Sequence, residues 1–365
     1  MHGAEVLQGL MHHRAPGTLK TYSNNWNRWV NFCHLRSNAR SLGQAQAPSP
    51  LSLWAATPYD VADFLMHLAP SVRMSSVQPY LSCINSAYRD LGLPAIGNDQ
   101  VVKATRAFLE RVQVPLNSGE SIVPMDASAM KELLDDVHRD YSTMEQPLGP
   151  GGLRYLRSSL AAIIGFVSGS RPGALVRLPV ENLRVVGPQL ALLERTETKT
   201  SPNSPLFADA PGRRPLPLYF RDSKVCTLLT MYIENRARLP RQPRYFFSLT
   251  TDEDKQDGVF TLWFDTVLAS IRRTPPAGCK WTPKSLRKGF ATASHLAGAD
   301  LLSITNVGGW APGSSTVARD YIRADYTRDP SMVYFFGHLN KDSQGFNVAA
   351  NAFRAVYDDA GDADA

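Results

Sequence analysis

The chain has 365 residues, of which 43% are hydrophobic and 20% charged, enough apolar content for two domains with separate cores. No run approaches the roughly 18 consecutive apolar residues of a membrane span, and the opening MHGAEVLQGLMHH lacks a secretory pattern, so a cytoplasmic or nuclear protein is expected. The formal charge of +6 understates the basic character, because the last eight residues, DDAGDADA, carry four Asp and no base, leaving +10 on the rest; such a surplus suits a polyanion partner. Cys33, Cys83, Cys226 and Cys279 lie far apart, without zinc-type spacing or the density of a disulfide framework. They are expected to be reduced and structural, and no metal or cofactor is expected.

Residues 1–15 read as a flexible N-terminus, and 16–112 as a small helical domain. In "TLKTYSNNWNRWVNFC", Leu19, Tyr22, Trp26, Trp29, Val30 and Cys33 recur every three or four residues behind a Thr18 cap, which predicts a long amphipathic helix. Three further stripes follow: Val61, Phe64, Leu65, Leu68; then Val77, Leu81, Ile84, Tyr88, Leu91 with Gly92 as a stop; then Val101, Ala104, Phe108, Val112. Lys20, Arg28, Arg73, Lys103 and Arg106 fall on the opposite faces, where basic side chains can track a DNA backbone or form an ordinary solvated rim.

"QVPLNSGESIVP", residues 113–124, reads as an interdomain linker. A second domain, 125–345, follows. It begins with a helix capped by Asp126 and carrying Met130, Leu133, Leu134 and Val137; then comes a surface loop "QPLGPGG" and an apolar helix from about Arg154 to Val167. Between 183 and 219 the pattern changes to short β-like runs, "LRVV", "LALLERT" and "PLPLYF". Helical periodicity resumes at Val225, Leu228, Leu229, Tyr232 and at Phe260, Phe264, Val267, Leu268, Ile271. The fold class is therefore mainly α with a small antiparallel sheet. A last helix is expected at 346–358, with Val348, Ala349, Ala352, Phe353 and Val356 on its apolar side, before an acidic tail at 359–365.

The chemistry concentrates in a few places. Thr282-Pro283 predicts a helix start, with Lys284 in its first turn and Arg287 three residues on, near free backbone N–H groups that favour an anion. "SGSRPGAL" repeats the arrangement, with Pro172 at the first helical position and Arg171 at the cap. Lys199 falls in the turn of a predicted hairpin, and "GGWAPGSSTVARDYIR" places Trp310 ahead of a short helix, capped by Ser314 or Ser315, that carries Val317 and Tyr321.

The ordered set Arg171, Lys199, Lys284, Arg287, Trp310, Tyr321 resembles the active-site signature of the tyrosine recombinases, the phage-integrase and Cre-like family. "SGSRPGAL" looks like that family's first box and "KSLRKGFATASHLAGADLLSITNVGGW" like its second. The four-helix first domain is similar to the family's core-binding domain, so the likeness spans residues 16–323. It implies a helical DNA-clamping domain, an α+β catalytic domain, and site-specific cutting and rejoining of duplex DNA through a 3′-phosphotyrosyl intermediate, without metal or ATP. Under that resemblance Arg171 and Arg287 clamp the phosphate, Lys199 protonates the leaving oxygen, Lys284 assists, Trp310 packs on the phosphate and Tyr321 attacks. The implied partners are duplex DNA and further copies of the chain, as a tetramer on two sites, with the C-terminal helix exchanged or docked on its own domain. Three departures stand out. Lys284 replaces the commoner His; Ala174 occupies a usually acidic position; and Tyr321 lies eleven residues after Trp310, longer than the family's usual interval, which makes Tyr326 a rival nucleophile. The other readings are a non-catalytic DNA-binding protein that keeps the fold and a type IB topoisomerase.

Overall fold

The computed structural model describes residues 16–41, 55–112, 120–144, 147–194, 215–249, 259–311, 313, 315–323, 325–344, 347 and 351. The chain divides into two compact units, Met1–Gly119 and Glu120–Ala365.

The first unit is built from α1 (Pro16–Ser41), α2 (Pro58–Leu68), α3 (Gln78–Asp90) and α4 (Gln100–Val112), with single 3-10 turns at Met74–Ser76 and Ile96–Asn98. Its core joins Trp26, Trp29 and Phe32 of α1 to Phe64 and Leu65 of α2 and to Leu81, Ile84 and Tyr88 of α3. Trp29 and Phe64 meet edge to face at 5.2 Å between ring centroids, the geometry the ring quadrupole favours. Thr57 and Asp60 form a capping box on α2: the Asp60 N–H donates to Thr57 Oγ1 at 3.4 Å and the Thr57 N–H to Asp60 Oδ2 at 2.8 Å.

Three sequence expectations change here. α1 begins at Pro16, so Thr18 lies inside the helix and is not its cap; proline tolerates the first turn because its missing N–H needs no partner there. Leu91 is more than a third exposed, one residue past the end of α3. On α4 the buried residues are Val102 and Leu109, whereas Phe108 and Val112 are over half exposed and Ala104 faces solvent. Both sets fit a 3.6-residue period and lie about 100° apart, so periodicity alone does not choose between them.

In the second unit, α5 (Ala127–Ser142), α6 (Pro150–Ser168), α8 (Lys224–Ala237), α9 (Val259–Ser270) and α10 (Pro283–Leu296) enclose one core. α6 is the central element: every residue from Ser158 to Ser168 is buried. Asp126 caps α5, accepting from the Ser128 N–H at 2.9 Å. Strands β2 (Leu183–Gly187), β3 (Leu190–Leu193) and β4 (Leu216–Tyr219) form an antiparallel sheet with β3 in the middle and Leu183 opposite Leu193. All four β3 residues are buried, which explains its unbroken apolar run. The architecture is thus mainly α with a small antiparallel sheet.

Two boundaries differ from expectation. Residues 120–124 are not linker. β1 (Ser121–Ile122) pairs in parallel with β5 (Cys279–Lys280), and Val123 and Met125 enter the core. Within "QPLGPGG", Pro150–Gly152 already form the first turn of α6, with proline again in the first turn of a helix. The cysteines are free, and Cys279 alone among them is not fully buried. Among the described residues no helix is long and apolar enough to cross a membrane, and no cluster of His, Cys, Asp and Glu could hold a metal ion.

Candidate active site

Four elements around α10 bring the site together. α6 ends at Ser168, and Gly169 follows in the left-handed conformation at φ 60°, where a side chain is strained. A Cβ there would also lie 2.5 Å from the Phe290 ring of α10. This tight turn leads into α7 (Pro172–Val176), with Arg171 at its N-cap in extended conformation and Pro172 in the first turn, as the sequence predicts.

Arg287 projects from α10 into this turn and is 4% exposed. One guanidinium nitrogen, Nη1, donates to the Gly169 carbonyl and, at 2.6 Å, to the Gly308 carbonyl at the end of α11 (Leu301–Gly308). Arg287 is therefore not aimed at the start of its own helix beside Lys284, as the i, i+3 spacing suggested; Lys284 is exposed. The charges near Lys284 belong to another group. The half-buried Lys288, whose Nζ donates to the Ile122 carbonyl at 2.9 Å, has its pKa pushed down by burial and then by Arg323 and Lys284. At Thr282 the N-cap backbone geometry is present and the Thr282 N–H donates to Ser285 Oγ at 3.0 Å, but Thr282 Oγ1 is buried with no partner.

The aromatic half of the site comes from α11 and the segment after it. Gly309 takes the left-handed conformation, and Trp310 folds back so closely that a Cβ on Gly308 would lie 1.7 Å from its ring. One face of Trp310 meets the Arg287 guanidinium at 3.6 Å, and its ring stacks with Phe290 at 6.3 Å. The edge contact to Tyr321 is at 5.0 Å between centroids, so the eleven-residue interval does not separate the two rings. Tyr321 ends a π-helical turn, Val317–Tyr321, closed by the Ile322 N–H on the Val317 carbonyl at 3.1 Å. Thr316 ahead of it is already helical at φ −57° and ψ −37°, and the Ser315 carbonyl accepts from the Arg319 N–H at 3.1 Å; Ser314 lies outside the described residues.

The electrostatics fit an anion. Burial pushes the Arg287 pKa down to about 10, the like charge of Arg171 pushes the same way, and Tyr321 opposes both. The guanidinium stays protonated at neutral pH but is destabilised. Its Nη2 is buried and makes no hydrogen bond of ordinary geometry, although the Tyr321 side chain is close enough to act on the guanidinium as a weak hydrogen-bond partner; a charged donor left short of a partner costs about 1–3 kcal/mol or more. No carboxylate pairs with Arg287 among the described residues. The guanidinium groups of Arg287 and Arg171 thus influence one another, and the Tyr321 ring centroid lies 5.7 Å from the Arg287 Cζ; groups of this kind can bind an anion. Tyr326, the rival, points elsewhere: its hydroxyl donates to the Pro124 carbonyl at 3.4 Å, and burial raises its pKa beside Asp325 and Asp126.

No protein-family model and no curated protein matches the chain. Solved structures do. A lambda integrase dimer bound to a COC′ core site aligns at TM-score 0.50 and 15% identity, covering 90% of this chain and 79% of that one. XerH site-specific recombinase bound to difH, in a pre-cleavage complex, aligns at 0.52 and 14%, covering 84% and 76%. The Tn1549 transposon integrase in complex with transposon right end DNA aligns at 0.51 and 11%, covering 97% and 99%. The chain has the tyrosine-recombinase fold.

Within that fold the structure brings Arg171, Arg287, Trp310 and Tyr321 together, leaves Lys284 on the exposed side of α10, and describes no part of the hairpin tip that holds Lys199. Val348, Ala349, Ala352, Phe353 and Val356 likewise lie outside the described residues. In the first unit Arg73 and Lys103 are exposed. Arg28 donates to the Tyr80 hydroxyl at 2.9 Å, and Arg106 is paired with Glu110 at 2.9 Å and donates to Gln78 at 2.8 Å; the side chain of Lys20 is outside the described set. Sequence reasoning missed the two carbonyls that seat Arg287, the stacking ring of Phe290, and Thr292, whose hydroxyl donates to the Tyr321 carbonyl at 2.9 Å. The motif's glycines were the available signal for the carbonyls.

Proposed function

We propose that this chain is a site-specific DNA recombinase that cuts and rejoins duplex DNA through a 3′-phosphotyrosyl intermediate on Tyr321. The observation that carries this reading is the meeting of Arg287, with its Nη2 short of a partner, and Tyr321 across the Trp310 ring, beside Arg171. The recombinase fold and the basic body of the chain support it, as do the DNA complexes of the proteins it resembles in fold.

Attack by the Tyr321 Oη on the phosphorus forms one P–O bond and releases the phenolic proton to solvent, while the bond to the 5′ oxygen breaks. The charge on the non-bridging oxygens is held by Arg171 and Arg287, the latter a donor preorganised by burial and by its two carbonyl partners. Lys199 gives its proton to the departing 5′ oxygen, and Lys284 lends positive charge from the open side. The new ester keeps the energy of the old one, so a 5′-hydroxyl from a second duplex reverses the step and joins strands. Exchange between two sites requires several copies of the chain, a tetramer in this reading.

The test uses duplexes selected for binding from a random-sequence pool and nicked so that cleavage releases the distal fragment and traps the adduct. The wild-type chain is expected to form a covalent complex whose phosphotyrosine maps to residue 321, and Tyr321→Phe to bind the same duplex without one. An adduct on Tyr326 would refute the assigned nucleophile. Binding with no adduct would make the chain a non-catalytic DNA-binding protein, and relaxation of supercoiled plasmid without joining of two sites would make it a topoisomerase.

A further inference from the structure

We infer that Thr292 is a positioning residue for Tyr321, an inference that rests on the reading of Tyr321 as nucleophile. Thr292 lies on α10 five residues after Arg287 and is 1% exposed. Its hydroxyl donates to the Tyr321 carbonyl at 2.9 Å and accepts from the Arg323 N–H at 3.3 Å. One side chain thus holds the backbone on both sides of the exit from the π-helical turn.

Two features separate this from ordinary satisfaction of a buried hydroxyl. Buried Ser and Thr on helices commonly return their proton to the carbonyl one turn back, and here Ser158, Ser168 and Thr305 do so, onto Arg154, Ile164 and Leu301. Thr292 spends its donor on another element instead. The element it holds also needs holding. The turn is five residues long, π-helical geometry is rare and marginal, and beyond it Ile322 is already extended at φ −80° and ψ 130°, so the last carbonyls lack helical partners. A threonine in a helix has two χ1 rotamers open to it, and tight burial of Thr292 restricts movement between them. Because Arg287 and Thr292 share one helix, the group that binds the phosphate and the group that fixes the nucleophile's backbone keep a constant separation.

Thr292→Val removes the hydroxyl at nearly constant shape, and Thr292→Ser keeps it. With the nicked duplexes selected above, valine is expected to lower the rate of adduct formation about 10- to 100-fold, the scale of a nucleophile misplaced by about an ångström. DNA affinity should stay within about twofold, and serine should restore the rate to within about threefold. Amide hydrogen exchange supplies a readout independent of activity. In the valine variant, exchange over residues 317–323 is expected to speed up, with the Arg323 amide affected most, and in the serine variant to stay near wild type. If valine does not fold, alanine takes its place in the comparison with serine. The inference is overturned by unchanged adduct formation in the hydroxyl-free variant, or by equal slowing in the serine and hydroxyl-free variants. Should the wild type itself form no adduct on Tyr321, the nucleophile reading fails, and exchange alone decides the positioning role: an unchanged turn in the valine variant overturns it.

Discussion

Gly308→Ala separates two physical effects by sign. Gly308 is the last residue of α11, so helix propensity alone favours alanine by about 1 kcal/mol. A Cβ there would lie 1.7 Å from Cζ3 and 2.2 Å from Cε3 of Trp310, far inside contact distance, and the ring must swing away. Forced repacking of this kind costs about 1–3 kcal/mol. The swing also breaks the 3.6 Å contact between Trp310 and the Arg287 guanidinium, worth about 2 kcal/mol in a desolvated setting. The net expectation is destabilisation by about 2–4 kcal/mol. Gly151→Ala is the matched control, also helical but with no heavy atom within 4 Å of the added Cβ, and it is expected to be neutral or slightly stabilising. Urea unfolding of the full chain, followed by aromatic circular dichroism and tryptophan fluorescence, measures both. If Gly308→Ala is as stable as Gly151→Ala and its tryptophan signal is unchanged, the packing argument for the Gly-Gly-Trp segment is wrong.

Arg287→Met exchanges two hydrogen bonds to carbonyls for relief of a buried, partly unmet charge, so stability should change by less than about 2 kcal/mol while adduct formation falls at least about 10²-fold. Inorganic phosphate at about ten times its Kd should stabilise the wild type by about 1.4 kcal/mol and Arg287→Met much less; equal stabilisation would place the anion elsewhere. Asp135 accepts from Lys131 at 2.5 Å and from Lys224 at 2.6 Å; burial pulls its pKa up, but these two partners outweigh it and leave the value lowered. Its contribution is therefore full above the ordinary carboxylate value of about 3.9 and is lost as pH falls through the lower folded value. Asp135→Asn should flatten acid unfolding in that window at a cost of about 1 kcal/mol at neutral pH; an unaltered acid midpoint would show that the pair contributes nothing.

The elements that were legible in the sequence are those where period, cap and breaker agree. α2, read from the stripe Val61, Phe64, Leu65 and Leu68, and α5, read from Asp126 ahead of Met130 and Leu133, lie where their patterns put them, and the structure adds the Thr57 cap and Pro58 to the first. α4 went wrong because it carries two apolar stripes, and only the neighbour it packs on decides between them. β1 escaped notice because two residues carry no alternation, and its partner β5 lies more than 150 residues away. For the site, the order of the motif residues was readable, but the direction of Arg287 was not. The i, i+3 rule put it beside Lys284, whereas carbonyls on two distant turns draw it inward. Thr292 was unreadable for the same reason: a side chain bonded to backbone across about thirty residues leaves no trace in composition or period.

What seats Arg287 also explains how it remains available to an anion. Gly169 stands at the C-terminus of α6 and Gly308 at the C-terminus of α11, so both acceptors sit at the negative ends of helix dipoles, each equivalent to roughly half an elementary charge. Two such ends offset much of the cost of burying a guanidinium, yet they fix it through one nitrogen and leave Nη2 short of a partner. A carboxylate in the same position would hold the group more tightly, and it would also neutralise the charge and repel an incoming phosphate. Building the cradle from backbone dipoles therefore fixes the geometry without cancelling the field. The glycines follow from that choice, since a carbonyl presented from a left-handed turn and a tryptophan folded over a helix end both require residues without side chains.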